Sequence, residues 1–480
     1  MPCITRSFEI SLPEDLRSIL RHTPGLDRAY VVGGGVRDAL LGRTGKDFDV
    51  EVFGHNFESL GKLLSPFGKL DLVGRSFGVV KLTTGPGRTY DFSLPRRDSK
   101  TGSGHKGFET TVDPSLDLPS ATARRDFTIN SLLYDPRGAQ IIDYHGGLAD
   151  LGNKVLRHTS AAFVEDPLRV LRGMQFISRF DLVPAPETIE LCRQIASSCS
   201  ELPAERIREE WFKWASRSVR PSAGLRFLSD TGWVEHFPEV AQLRGVPQDP
   251  EWHPEGDVFV HTLHCCDALA NLTQWQQADE ESRIVWMLAI LAHDFGKPGT
   301  TRQEVRLGKL RIVSPEHEAA GGPLAQSFLD RLKAPHDITA RVLPLVTNHL
   351  AHLQASTDRA VRRLANRLRP ETIEGLCVVM AADCLGRPPR PAVLPQTLTD
   401  LRNKAALLCL QNQAPKNIFL GRHLLELGMP PGREVGTVVN AAFEAQLEGE
   451  FFDYAGAIQW LKSQMDLPIP PEVRTRLNAL

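Results

Sequence analysis

The feature that most restricts what this chain can fold into is a change of hydrophobic period near residue 150. Between about residues 28 and 145, short β-rich runs alternate with glycine turns: Ala29-Tyr-Val-Val, Phe48 to Phe53, Val79 to Leu82, Thr89 to Phe92 and Gln140 to Asp143. Further on, apolar residues recur at spacings of three and four in Leu168–Phe180, Pro186–Ile195, Ala204–Trp214 and Gly224–Leu228, and strand signals vanish. Alternation predicts a half-buried sheet, and the longer period predicts helices with one buried stripe. The expected class is therefore multidomain α+β, a small mixed head followed by an almost entirely helical remainder. At 480 residues the chain is long enough for several cores. Proline clusters at Pro247–Pro254 and Pro388–Pro395 read as linkers. A helix is expected at Val36–Leu41, and the polar stretch Pro95–Pro119 is expected to be a long functional loop.

Composition excludes more than it identifies. No run of eighteen apolar residues exists, and the opening Met-Pro-Cys-Ile-Thr-Arg lacks an apolar signal core, so a soluble cytoplasmic protein without membrane association is expected. The eight cysteines form no CxxC pair and sit mostly in apolar runs, which reads as reduced core residues. A net charge of −2 gives no general polyanion binder, although local basic surfaces fit within it. Nothing in the composition sets an oligomeric state.

Three features of the head carry chemistry. Gly33-Gly34-Gly35 follows a β run and opens a helix through Val36-Arg37-Asp38, a pattern that suits a phosphate cradle or simply a tight turn. In Lys46-Asp47-Phe48-Asp49, the acids at i and i+2 of a strand project from one face and suit one or two Mg²⁺ ions; a solvated strand edge reads the same way. Arg124-Arg125-Asp126-Phe127-Thr128-Ile129-Asn130 offers paired guanidinium groups with an acid and an amide, apt for triphosphate and ribose or for a salt-bridged turn.

Taken as one ordered string, these motifs closely resemble the class II tRNA nucleotidyltransferase and bacterial poly(A) polymerase family, of the polymerase-beta-like superfamily. The resemblance continues through Asp143-Tyr-His-Gly-Gly-Leu-Ala-Asp150, Glu165-Asp166-Pro-Leu-Arg169-Val-Leu-Arg172 and Glu205-Arg-Ile-Arg-Glu-Glu210, covering about residues 28 to 240. It implies a polymerase-beta-like head at 25–152 and an all-α neck at 153–245. It also implies that Asp47 and Asp49 are catalytic Mg²⁺ ligands, that Gly34 and Arg37 form the triphosphate turn, and that Arg125 and Asp126 face the ribose. Asp166 and Arg169, three apart on one helical face, would read the base edges of CTP and ATP, with Arg172 nearby. The implied reaction is template-independent addition of CCA to tRNA 3′ ends, with pyrophosphate released. Poly(A) addition is the alternative within the family. Gly74-Arg75-Ser76-Phe77-Gly78-Val79-Val80-Lys81 lacks the second basic residue and the histidine typical of poly(A) polymerases, which favours the CCA side. The tRNA would lie along helical basic residues, among them Lys154, Arg157, Arg179, Arg206, Arg208 and Lys213, and Arg359, Arg362, Arg363 and Arg367 farther on.

A second constellation follows: His261, His293-Asp294, His317, His349 and Asp383. His293-Asp294 ends the apolar stretch Val285–Ala292 and precedes Phe295-Gly296-Lys297, an odd place for two polar side chains unless something binds them. The set resembles the HD phosphohydrolase superfamily. The resemblance implies a domain at 255–390 in which His261, His293, Asp294 and Asp383 hold a divalent metal (Ni, Mn, Fe, Zn or Mg) and His317 and His349 serve a second one. A helical tail at 400–480 completes the chain. An alternative of another class is an HD phosphohydrolase whose front domain only binds nucleotide or RNA.

Overall fold

The computed structural model describes residues 3–43, 45, 48–71, 78–100, 108–354 and 357–480. It divides into two compact units, Met1–Phe237 and Pro238–Leu480.

The first unit is built on a mixed sheet. Its strands are β1 (Ile4–Ser7), β2 (Ala29–Val32), β3 (Asp49–Val52), β4 (Lys69–Asp71), β5 (Val79–Gly85) and β6 (Arg88–Ser93). Next in the chain come a hairpin, β7 (Arg96–Lys100) with β8 (Phe108–Val112), and two further sheet strands, β9 (Leu133–Asp135) and β10 (Gln140–Asp143). The sheet order is β1-β10-β9-β2-β3-β6-β5-β4, antiparallel throughout except for the parallel pair β3 and β6. One face packs on α1 (Glu14–His22) and α3 (Phe57–Leu64). Leu16, Ile19, Leu20, Leu60 and Leu64 meet Val31, Val50, Val52, Val80 and Phe92 there, every one fully buried or nearly so. Each such side chain removed from water contributes roughly 1.5–3 kcal/mol before entropy is counted. Phe48, Val50 and Val52 are all buried, as their alternation predicts.

Four further helices of this unit bear on the site. They are α2 (Gly34–Leu40), between β2 and β3, then α4 (Leu118–Ala123), α5 (Gly147–Gly152) and α6 (Leu168–Phe180). Buried residues lie all round α6, from Leu168 through Phe180, because α8 (Ala204–Arg217) and α9 (Pro221–Asp230) pack against it; α7 (Pro186–Gln194) lies between them in sequence.

In the second unit five helices pack together: Val258–Asn271, Glu280–Ala292, His317–Arg331, His336–Thr347 and Ile373–Leu385. The C-terminal helices have a core of their own, including Phe419, Leu424, Val438, Ala442, Phe451, Leu461 and Val473. No helix among the described residues is long and apolar enough to cross a membrane.

Two expectations need correction. Pro95–Pro119 is not wholly a loop, because the five-residue ladder of β7 with β8 and the start of α4 lie within it; residues 101–107 are outside the described residues. Strand also returns in the helical half, where Arg302–Arg306 pairs with Lys309–Val313 around Leu307-Gly308. Both residues at that turn have positive φ, 51° and 75°, as a two-residue hairpin requires.

Candidate active site and metal cluster

A pocket of about 400 Å³ opens over the first-unit sheet. Asp49 opens β3 and sits in parallel register with Asp91 on β6, so two carboxylates lie on neighbouring strands at one edge of the pocket. Glu51 points the same way two residues on, buried at 1% exposure. The same pocket is lined by Arg96, Arg124, Arg125, Arg169, Arg172 and Arg206, with Asp126 and Asp166 among them. Ion pairs join its acids and arginines. Arg125 Nη2 donates to Glu51 at 2.9 Å, Arg172 Nε to Asp126 at 2.8 Å, and Arg206 Nη2 to Asp166 at 3.0 Å. Asp126 is almost fully buried. Burial pushes its carboxyl up, but the Arg172 guanidinium and the Asn130 amide outweigh this and hold it below the usual carboxylate range.

Of the residues singled out in the head, Asp49, Arg125, Asp126, Asp166, Arg169 and Arg172 line this one pocket. Asp47 lies outside the described residues, as do residues 74–77 of the stretch used to weigh poly(A) addition. Gly34 and Arg37 are not among the lining residues. Arg37 is 4% exposed and stacks on Phe176 and Phe180, and its guanidinium donates to Asp38 and to Asn130. Asn130 in turn donates to Asp126. Arg37 therefore anchors the buried network that holds Asp126 and Arg172.

Asp166 and Arg169 do not share a helical face. Asp166 is extended (φ −119°, ψ 97°) because Pro167 follows it, and α6 begins only at Leu168. The Arg169 guanidinium is fixed by two backbone carbonyls, those of Ala162 and Arg124, each at 2.6 Å. Glu51 and Asp91 escaped the sequence reading; Glu51 shares β3 with Asp49, and only the pairing of distant strands brings Asp91 to it.

In the second unit the histidines converge from helix ends. His293 and Asp294 follow the helix Glu280–Ala292, His317 starts His317–Arg331, His349 follows His336–Thr347, and His261 and Asp383 lie within their helices. The backbone sets the tautomers. His293 Nδ1 donates to Ile290 O (2.6 Å), His317 Nδ1 to Ser314 O (2.7 Å) and His349 Nδ1 to Val346 O (2.7 Å), which turns Nε2 of each into the cluster. His261 Nδ1 faces Glu255 at 2.7 Å. The Nε2 atoms then confront one another, His261 with His293 at 3.4 Å and His317 with His349 at 3.2 Å. Such opposition calls for a cation between them.

Asp294 points to the same conclusion. At 1% exposure its Oδ1 is 3.3 Å from His317 Nε2, and its Oδ2 is 3.2 Å from His293 Nε2 and 2.7 Å from the Lys297 ammonium. Neither oxygen accepts a well-formed hydrogen bond. The close approach depends on Gly296, where a Cβ would come within 2.7 Å of Gly321 N and closer still to His317 O. A cavity of about 250 Å³ reaches Asp294, His317, His349 and Asp383, with Trp252, Lys297 and Arg387 around them. The singled-out histidines and aspartates are thus brought together, and Glu255 joins them as the residue that orients His261.

On the helix Asp358–Arg367 three of the four arginines expected to meet tRNA are engaged within the protein, and Arg367 is exposed. Arg359 and Arg363 pair with Glu448, Arg363 also with Glu444, and Arg362 donates to Leu447 O, all on or beside the helix Arg433–Glu448.

A mixed sheet with carboxylates on adjacent strands under an arginine-lined pocket defines the class, and comparison with known proteins agrees. Residues 29–157 match the poly A polymerase head domain, and residues 181–243 match the probable RNA and SrmB-binding site of polymerase A. The chain is a polymerase-type nucleotidyltransferase. A multifunctional CCA protein of Xanthomonas campestris pv. campestris is 37% identical over 375 residues, 75% of this chain and 85% of that relative. The corresponding protein of Pasteurella multocida is 34% identical over 378 residues, 75% and 84% of the two chains. The chain belongs to the multifunctional CCA protein family. Its fold is that of a Thermotoga maritima CCA-adding enzyme complexed with tRNA (TM-score 0.60, 19% identity, 96% of this chain and 99% of that one). It is likewise that of a Bacillus stearothermophilus CCA-adding enzyme in complex with CTP (TM-score 0.62, 20% identity, 94% and 99%).

Proposed function

We propose that this chain adds CCA to tRNA 3′ ends from CTP and ATP, without a nucleic-acid template and with release of pyrophosphate. The observation that carries the reading is the pocket itself, where carboxylates on neighbouring strands share one lining with six arginines. Asp49 and Asp91, with Asp47 two residues before Asp49 in sequence, are a hard oxygen set of the kind Mg²⁺ takes. When bound, the divalent ion neutralises charge on the triphosphate and makes the RNA 3′-hydroxyl more acidic. The arginine lining receives the phosphates and holds the α-phosphorus in line with the 3′-oxygen, so catalysis rests on positioning and electrostatics. Asp166 and Arg169 are assigned to the base edge, where an acceptor and a donor of fixed direction take the place of a template. Two backbone carbonyls aim Arg169, and Asp166 must part from Arg206 to engage a base. Arg125 and Asp126 are assigned to the ribose and phosphates. Arg37 serves as a positioning residue through Asn130, and Gly34, where a Cβ would lie 3.4 Å from the Arg37 guanidinium, leaves room for it.

A tRNA transcript lacking its last three nucleotides tests this, given CTP, ATP or both with Mg²⁺ and resolved at single-nucleotide length. Growth by three nucleotides only with both is the expected result. A long ladder with ATP alone on unrelated RNA would make the enzyme a poly(A) polymerase.

We infer a second activity in the second unit, metal-dependent hydrolysis of phosphoesters, supported by the opposed imidazoles and the unsatisfied Asp294. His261, His293, Asp294 and Asp383, with His317 and His349, would hold the metal, which supplies an activated water when bound. Purified protein without metal, and without phosphodiesterase activity under added Mn²⁺ or Ni²⁺, would end this reading.

A further inference from the structure

The histidine cluster resolves into two donor sets of different character. His261, Cys265, His293 and Asp383 place two nitrogens, a sulfur and a carboxylate oxygen within 4.8 Å of one another, and all four residues are buried. Asp294, His317 and His349 form a three-donor set by the same measure. Asp294, His317 and His349 line the cavity, and of the first set only Asp383 reaches it; His261, Cys265 and His293 are buried and do not line it.

We propose that Cys265 is a thiolate ligand that joins His261, His293 and Asp383 in a four-donor site for a thiophilic divalent ion such as Zn²⁺, beside the set of Asp294, His317 and His349. The proposal rests on the reading that this cluster holds metal. His261 and Cys265 are four apart on the helix Val258–Asn271 and so share a face, with Sγ 3.3 Å from His261 Nε2. The chain leaving Asp383 closes over the thiol, because Gly386 packs against it: a Cβ there would lie 2.8 Å from Cys265 Cα and nearer still to Sγ. Asp294 supplies a further sign of a missing cation: its Oδ2 lies 3.2 Å from His293 Nε2 and 2.7 Å from Lys297, and neither buried oxygen accepts a well-formed hydrogen bond. On metal entry the thiol gives its proton to solvent and the sulfur donates to the ion. Sulfur in the set favours Zn²⁺, Fe²⁺ or Co²⁺ over Mg²⁺. Cys266, equally buried but absent from either set, is the natural control.

Cobalt titration of the full-length, metal-stripped chain provides the test. The first equivalent is expected to give a sulfur-to-cobalt charge-transfer band in the near ultraviolet together with the visible bands of four-coordinate Co²⁺. Cobalt at the nucleotidyltransferase pocket, held by oxygen alone, gives no such band. Cys265→Ser should abolish the charge-transfer band and weaken the first equivalent by at least about tenfold, while Cys266→Ser keeps both. Cys265→Ala serves the same purpose if the serine variant does not fold. Cobalt bound in a His293-dependent way without the charge-transfer band, or with a band that survives Cys265→Ser, would leave the metal cluster standing and refute the cysteine ligand. Cobalt uptake indifferent to His293→Ala would remove the metal cluster itself, and the proposal with it.

Discussion

In the pocket of the first unit, three arginines already have carboxylate partners: Arg125 with Glu51, Arg172 with Asp126 and Arg206 with Asp166. In the cluster of the second unit, imidazole Nε2 atoms face one another at 3.2–3.4 Å beside a buried Asp294 that has the Lys297 ammonium 2.7 Å from one oxygen. Each of the three arginines is neutralised within the protein, and a ligand reaches it by exchanging partners. The histidine cluster instead gathers donors that suit a cation. The difference teaches that one chain can keep one site stable while waiting and let the other depend on its metal for stability as well as for chemistry.

Five measurements break or sharpen that contrast. Asp49→Ala should lower nucleotide addition on the order of 10³-fold and leave phosphodiesterase activity alone; loss of both in parallel assays would mean the two sites are not separable. Asp294→Asn, nearly isosteric, should cost the second unit about ten- to a hundredfold in metal retention with CCA addition unchanged, as read by metal analysis alongside extension gels. Chelation should lower the melting temperature of the second unit only. Metal at a hundred times its Kd is worth about 2.7 kcal/mol, or roughly 5–10 °C for a unit of this size, in scanning calorimetry. A drop in the first unit instead would reverse the comparison.

Arg172→Ala strips Asp126 of its cation while Asn130 and the Phe127 amide still donate to it. A loss of about 2 kcal/mol in the first unit is expected, measured by denaturant titration. The sign with pH is fixed. Because the folded Asp126 titrates below its ordinary range, the pair contributes fully above about pH 3.9 and fades as pH falls through the lower folded value. Wild type and variant should therefore converge in acid. The smallest effect belongs to Arg363→Ala. Its partners Glu444 and Glu448 are solvent-screened, so the denaturation midpoint should hardly move and tRNA affinity, read by filter binding, should hold.

Much of this was legible in the sequence. Phe48, Val50 and Val52 alternated into the core, the three-and-four spacing of Leu168–Phe180 produced α6, and the order of His261, His293, Asp294, His317, His349 and Asp383 foretold one cluster. What stayed hidden depended on distant pairings. Asp91 has no distinguishing neighbours, and only the parallel register of β3 with β6 sets it beside Asp49. Glu51 looked like a solvent-facing strand residue until Arg125 was found on it. Pro167 was a local signal that Asp166 could not be helical, and the motif obscured it. Polar, glycine-rich composition concealed the hairpin of β7 and β8, whose ladder comes from backbone pairing that composition does not encode. Arg359, Arg362 and Arg363 form a basic face in sequence, but the acids that cover it stand some eighty residues away.

The Glu51–Arg125 bridge has one more consequence. A bare basic groove binds phosphate by shedding loosely held counterions, so its affinity falls steeply with added salt. Arg125 carries its counterion built in, as a side chain of the same fold at 2.9 Å. An arriving triphosphate displaces Glu51 instead of dissolved chloride, and the exchange contributes little to the salt slope. In this respect the pocket works as an internal ion exchanger, weaker than open arginines would be but steadier against the ionic strength around it.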